Sequence, residues 1–431
     1  MPERYLLRGA RVVDPASGRD AVVDVAIADG VVAAVGKGAS GGTTIDAGGL
    51  VLAPGLVDLH THLREPGFEH KETIETGTRA AAIGGFTAVA PMANTDPVAD
   101  AAAVVHEVRA RAAAHGLCDV FPVGAVTRGL AGEEMAELGE LYEAGVRVFS
   151  DDGRVVPSAR VLRNALTYLR AFPGAVIAEH AEDASLGDGA IVHEGLLSSS
   201  LGLAGVPREA EEIVVARDVA LARLTGGRVH FCHLSSAGSV DLVRRARAEG
   251  IAVTAEVTPH HLSLTDATLS TYDANVRVNP PLRGEVDRDA LRAGLADGTI
   301  DAVATDHAPH APEEKEVEFD LAPPGTIGLE TALAVVLTDL VATGGLDLVR
   351  AIEALSTRPA RIMGAVGHGG PIEPGAPANL VLIDPEASWT VAAPFTSKSR
   401  NSAFLGRTLR GRVVATFLRG EPIVLDGEAR R

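Results

Sequence analysis

The sequence predicts an α/β protein: a (β/α)8 TIM-like barrel with a small β-sandwich domain formed from both chain ends. Three observations support this. The middle of the chain alternates apolar strand-like runs with Ala-rich, charge-bearing helical stretches such as AAAVVHEVRARAAAHG, the rhythm of a parallel sheet. Eight strand candidates can be counted there, the number that closes such a sheet into a barrel. The two ends share another style, short alternating strands broken by Gly turns, which indicates antiparallel sheet.

In chain order, AVVDVAIADGVVAAVG near the start reads as strands around an Asp29-Gly30 turn. The eight barrel candidates follow: LVLAPGLVDLH, FTAVAPM, DVFPVGAV, VRVFS, AVIAEH, RVHFCH, IAVTAEVTPH and IDAVATDH. After the eighth, HAPEEKEVEFDLAPPGTIG (His310 to Gly328) is charged and rich in Pro and Gly, and reads as a long loop, the kind that often serves as a lid. Near the end, ANLVLID and GRVVATFLRGEPIVLDG return to the opening style, with turns near Gly420 and Gly427. Neither end is long enough for a domain alone. The expected division is therefore 1–52 plus 372–431 as one composite β domain, with the barrel, 53–371, inserted.

Hydrophobic residues make up 46% of the chain but aromatics only 3%, so Val, Ala, Leu and Ile must build the core. The formal charge, 39 − 57 = −18, excludes a general nucleic-acid or anionic-membrane binder, which would need a basic face. Two cysteines in 431 residues make no disulfide framework. The start, MPERYLLRGARVVD, lacks the pattern of a signal peptide, and no apolar run reaches membrane-span length. A soluble, cytoplasmic protein acting on a small molecule is expected.

The chemistry is concentrated at strand ends. In DLHTHLREPG, His60 and His62 lie two residues apart and project together from the end of the first strand. Further strands end in Asp151-Asp152, His180 and His233, and the eighth in Asp306-His307. The carboxyl ends of barrel strands form one face, so these groups converge. His and carboxylate donors suit Zn²⁺ and related ions, and the set exceeds the needs of one catalytic zinc. Two metals sharing a carboxylate fit better. Arg64 continues the His60–His62 face if the strand runs on, and a guanidinium there suits a substrate carboxylate. The bland alternative for Arg64 is a surface salt bridge to Glu65 or Glu69. His70, His106, His115, His193, His230 and His368 lie outside the pattern, and His230 should face away from His233. His260 and His261 end the seventh strand and are left unassigned.

Taken together, DLHTHLREPG, FSDDG, EHAED, ATDHAPH and SKSRNSAFLG resemble the amidohydrolase superfamily and, within it, the bacterial type I dihydroorotases, from about Leu50 to Gly406. The resemblance implies reversible hydrolytic ring opening of dihydroorotate to N-carbamoyl-aspartate in pyrimidine biosynthesis. It implies two Zn²⁺ per subunit, bridged by Asp152 and a hydroxide. His60, His62 and Asp306 would hold one ion; His180 and His233 would hold the other. Asp152 is preferred to Asp151, since neighbouring strand residues face opposite ways. Asp306 would act as general base and then general acid. Asn94 and His310 would join Arg64 at the substrate carboxylate, with His62, Asn279 and the Pro324-Gly325 backbone completing the shell.

One departure is informative. Many cyclic-amide hydrolases of this superfamily bridge their metals with a carboxylated lysine. The four lysines here, Lys37, Lys71, Lys315 and Lys398, include none at a strand end between His62 and His180. This weighs against the alternatives, an allantoinase or a hydantoinase/dihydropyrimidinase. A catalytically silent partner subunit should have lost ligands that this chain keeps. The resemblance is compatible with a homo-oligomer or with association with an aspartate carbamoyltransferase.

Overall fold

Each of the eight apolar runs contributes a strand to one barrel. The structure, a computed structural model, describes residues 4–430; the outermost parts of the expected composite domain, 1–3 and 431, lie outside the described residues. The barrel strands are β1 (Leu56–Thr61), β2 (Phe86–Pro91), β3 (Asp119–Val120), β4 (Val148–Phe149), β5 (Val176–Glu179), β6 (Val229–Phe231), β7 (Val253–Val257) and β8 (Ala302–Val303). They pair in parallel as two arcs, β1–β2–β3 and β4 through β8. Single parallel bridges close the seams, Gly124 to Phe149 and Thr61 to His307.

A parallel strand buried on both faces needs apolar side chains on both, which is why these segments read as unbroken runs. The inward set is narrow: Val57, Ala88, Ala90, Val148, Val176, Ala178, Cys232, Ala302 and Ala304 pack together. Small side chains suit the confined barrel axis. The outward set, including Phe86, Phe149, Ile177 and Phe231, packs under the surrounding helices. Each such fully buried large side chain contributes about 1.5–3 kcal/mol. The helix Arg358–Met363 plugs the amino-terminal end with Ala360, Ile362 and Met363.

Both chain ends build one continuous nine-stranded sheet. The predicted first barrel strand is divided at Gly55. Val51–Pro54 belongs to the sheet, pairing antiparallel with Leu380–Ile383 and parallel with the strand Tyr5–Asp14, while β1 enters the barrel. A side chain at 55 would collide with Thr87, its Cβ only 2.3 Å from that methyl group. The sheet is thus mixed, with its hairpins antiparallel. Asp29-Gly30, Arg419-Gly420 and Asp426-Gly427 each place two consecutive residues at positive φ, as two-residue hairpin turns require. The sheet curls until the Gly30 and Gly420 turns meet, the Gly420 amide donating to Ala378 O and the Ala378 amide to Gly30 O. Among the described residues, no helix is long and apolar enough to cross a membrane.

Candidate active site

The carboxyl-terminal mouth of the barrel gathers the predicted ligands around one carboxylate. Asp152, just past β4, is buried, and its two oxygens face different pairs of histidines. Oδ2 lies 3.3 Å from His60 Nε2 and 3.5 Å from His62 Nε2. Oδ1 lies 3.5 Å from His233 Nε2 and 3.6 Å from His180 Nδ1. Asp306 Oδ1 completes the first group, 3.0 Å from His62 Nε2 and 3.5 Å from His60 Nε2. The neighbouring Asp151 turns away: it accepts from the amides of Val126 and Thr127 and from the Thr127 hydroxyl. His307 also turns away, its Nε2 3.2 Å from Glu72.

Two atoms at the centre, His60 Nε2 and Asp152 Oδ1, are buried and have no hydrogen-bond partner. An orphaned buried polar atom costs about 1–3 kcal/mol. Imidazole and carboxylate donors converging on such gaps fit divalent cations such as zinc. The charge balance agrees. Burial works against ionisation of Asp152, but the imidazoles of His60, His180 and His233 outweigh it and hold its carboxyl well below the usual range. Burial likewise opposes protonation of His60, yet Asp152 and Asp306 outweigh it and the net shift is upward.

The predicted ligands are held from behind. His62 Nδ1 donates to Asn94 Oδ1 (3.1 Å), and Asn94 Nδ2 donates to the Asp152 carbonyl (3.3 Å). Asn279 Nδ2 lies 3.3 Å from His180 Nε2. His60 Nδ1 lies 2.9 Å from Glu256 Oε1, and Glu256 Oε2 lies 3.1 Å from His230 Nε2. Sequence reasoning missed Glu256. Its signal was a lone carboxylate in the apolar run of β7. His230 does not point away from the site as expected. His233 lies beyond the end of β6 with φ 30°, so the alternation cannot be counted through to it.

A cavity of about 260 Å³ opens beside this centre. It is lined by His62, Asp152, His180, His233 and Asp306, and by every residue predicted for the substrate shell: Arg64, Asn94, Asn279, His310, Pro324 and Gly325. Arg64 reaches it differently from the strand-phase expectation. β1 stops at Thr61, and Arg64 adopts φ 61°, donating through Nε to Pro309 O at 3.2 Å. Glu65 and Glu69 are engaged elsewhere, with Arg111 and with the Gly67 amide. His310 Nε2 donates to Pro324 O (2.9 Å); burial, helped by the Arg64 charge, pushes its imidazole down to about 3. Asn401, from SKSRNSAFLG, clamps the wall. Its Nδ2 donates to Ala308 O and Gly325 O, and its Oδ1 accepts from the His310 amide. The long loop contains a short helix, Pro312–Lys315, and the buried Lys315 Nζ ties it to Ala274 O and Pro323 O. His261 is bonded to Thr258 Oγ1 and Pro280 O, apart from the cavity.

A family model described as dihydro-orotase-like matches residues 49–239. Curated relatives named dihydroorotase include one from Leifsonia xyli, 54% identical over 99% of this chain and 97% of the relative. Others come from Pelotomaculum thermopropionicum, 51% identical over 98% of this chain and 99% of the relative, and from Mycobacterium tuberculosis, 52% identical over 99% of each. Among solved structures, an L-hydantoinase (dihydropyrimidinase) from Arthrobacter aurescens superposes with a TM-score of 0.89 at 26% identity, covering 100% of this chain and 98% of its own. A dihydropyrimidinase from Brevibacillus agri shares the fold, with a TM-score of 0.85 at 24% identity and coverage of 99% and 96%.

A barrel of this kind, with imidazoles and carboxylates converging at its mouth, defines the class of metal-dependent cyclic amidohydrolases. The half-identical relatives narrow that class: the chain belongs to the dihydroorotase family.

Proposed function

We propose that the protein catalyses the reversible hydrolytic ring opening of (S)-dihydroorotate to N-carbamoyl-L-aspartate, a step of pyrimidine biosynthesis. The observation that carries the substrate reading is Arg64. Its guanidinium lines the cavity with His310 and Asn94 and, among the described residues, has no carboxylate within ion-pair distance. A cationic fork that forms no direct ion pair within the protein suits a ligand carboxylate. Dihydroorotate has one; hydantoin, dihydrouracil and allantoin do not. The hydantoinase-like fold supports a second reading, a hydrolase of neutral cyclic amides, which leaves Arg64 without a purpose.

His60, His62 and Asp306 would hold one divalent cation, zinc by resemblance, and His180 and His233 a second, with Asp152 between them. When bound, these ions supply Lewis-acid polarisation of the ring carbonyl and acidify a water molecule. Arg64, Asn94 and His310 orient the substrate by its carboxylate, and Asn279 with the Pro324-Gly325 backbone holds the ring. Water adds to the ring amide carbon, and Asp306 accepts the proton released. The carbon–nitrogen bond then breaks, and Asp306 returns that proton to the departing ring nitrogen. Ring closure runs the same transfers backwards and expels water.

The test is a substrate panel of dihydroorotate, hydantoin, dihydrouracil and allantoin, run with and without chelator. Turnover of dihydroorotate alone, lost on chelation and restored by zinc, is expected. Preference for a neutral ring would overturn the substrate reading, and full activity after chelation would overturn the cation reading.

A further inference from the structure

We propose that Glu256 and His230 are positioning residues for His60, fixing its tautomer and strengthening it as a cation ligand. The inference rests on the cation reading above. It begins with strand register: β6 and β7 pair in parallel with His230 opposite Thr254 and Phe231 opposite Ala255. Alternation along β7 places Thr254 and Glu256 on one face. His230 therefore meets both, with Nδ1 2.9 Å from Thr254 Oγ1 and Nε2 3.1 Å from Glu256 Oε2. The other Glu256 oxygen lies 2.9 Å from His60 Nδ1. Glu256 and His60 are wholly buried and His230 nearly so.

With a single proton on each imidazole, the form in which His60 can ligate a cation, proton placement along this chain has one consistent solution. An ionised carboxylate only accepts, so both imidazoles must donate to it. His230 then carries its proton on Nε2 and accepts from the Thr254 hydroxyl at Nδ1. His60 carries its proton on Nδ1, which leaves a lone pair on Nε2. That lone pair faces Asp152 Oδ2 and Asp306 Oδ1 at 3.3 and 3.5 Å, acceptor against acceptor, and His60 Nε2 has no hydrogen-bond partner. In that singly protonated form three acceptors meet with no proton between them, the arrangement that a cation would fill. The support also differs among His60, His62 and His180. His62 and His180 have the neutral amides of Asn94 and Asn279 at hydrogen-bond distance, with the Glu182 carboxylate farther off at 3.9 Å from His180 Nε2, whereas His60 has a carboxylate at 2.9 Å. A carboxylate behind a ligating imidazole raises its donor strength, and losing such a partner typically costs 10–100-fold in metal affinity.

The test uses zinc alone as the probe, titrated into metal-stripped full-length protein against a chromophoric chelator. Wild type, E256Q and H230Q are compared, with folding checked by circular dichroism. The Gln at 256 can still accept from His60 and donate to His230, so it removes the charge while keeping the packing. E256Q should weaken one of the two zinc positions by about 10–100-fold and leave the other within a few-fold, and saturating zinc should restore part of kcat. Equal weakening at both positions, or wild-type affinity in folded E256Q, would overturn the proposal. If E256Q does not fold, H230Q decides: selective weakening of one position supports the proposal, and wild-type zinc affinity overturns it. Failure of wild type itself to bind zinc would instead reject the cation reading.

Discussion

Replacing Arg64 with Met isolates the contribution of one guanidinium to substrate recognition. Arg64 uses Nε on the Pro309 carbonyl, which leaves its terminal nitrogens for a ligand in the cavity it lines. Met keeps an unbranched stem and removes all five donors. A hydrogen bond to a charged group is worth about 1.5–3 kcal/mol. At about 1.4 kcal/mol per tenfold, KM for dihydroorotate should rise roughly 10- to 150-fold. The interaction is made equally before and during reaction, because the carboxylate takes no part in bond breaking. The kcat should therefore stay within a few-fold. The lost bond to Pro309 adds a stability penalty of about 0.5–1.5 kcal/mol, visible as a small shift in melting. Steady-state kinetics in both directions measure the first effect, with circular dichroism as the check that the variant is folded. An unchanged KM in a folded R64M protein would refute the assignment. A large fall in kcat at constant KM would refute the reasoning about which state the guanidinium binds.

Asp306→Asn should leave a folded protein and lower kcat by at least about 10²–10⁴-fold, the usual worth of a general acid–base group; near-wild-type turnover would remove Asp306 from that role. Acid should destabilise the fold through two buried imidazoles. Burial first, then neighbouring charge, pushes His261 and His310 down from 6.5 to about 3. Between those values the unfolded chain binds protons that the folded chain does not, so this stability is complete above about pH 6.5 and lost progressively toward pH 3. The slope is at most about 1.4 kcal/mol per pH unit for each group. Denaturant midpoints measured across that window should show a shallower slope in His261→Gln by about one proton, and an identical slope would reject the account.

How much of this was legible before the structure depended on whether a feature lay within one strand or between strands. Barrel strands are buried on both faces, so each announces itself as an apolar run, and polar residues at their carboxyl ends stand out against it. His60 and His62, two apart, and the strand-terminal Asp152, His180 and His233 could be found that way. The reading failed where the backbone leaves the extended region. Arg64, His233 and Asp306 all adopt positive φ, so side-chain directions beyond the strand ends cannot be counted by alternation. Arg64 reaches the cavity despite the missing strand, and His230 faces inward although counting from His233 pointed it outward. Glu256 was invisible for another reason. Its partners, His60 and His230, are 196 and 26 residues away; the pairing of β7 with β6 brings His230 to it, and closure of the barrel brings His60 from β1. Asn401 likewise clamps Ala308, 93 residues earlier.

The charge distribution ties these features to the chemistry. A chain carrying −18 overall repels an anionic substrate at long range, and at physiological salt that field is screened beyond about 8 Å. Recognition must therefore be local. The mouth concentrates negative groups, Asp152, Asp306 and Glu256, beneath the imidazoles, and it sets Arg64 among Asn94 and His310 on the cavity wall. Bound divalent cations would neutralise the carboxylates and turn this floor from repulsive to attractive toward the substrate. Cation binding and substrate binding would then be linked electrostatically, with Arg64 responsible for orientation and the ions for the change of sign.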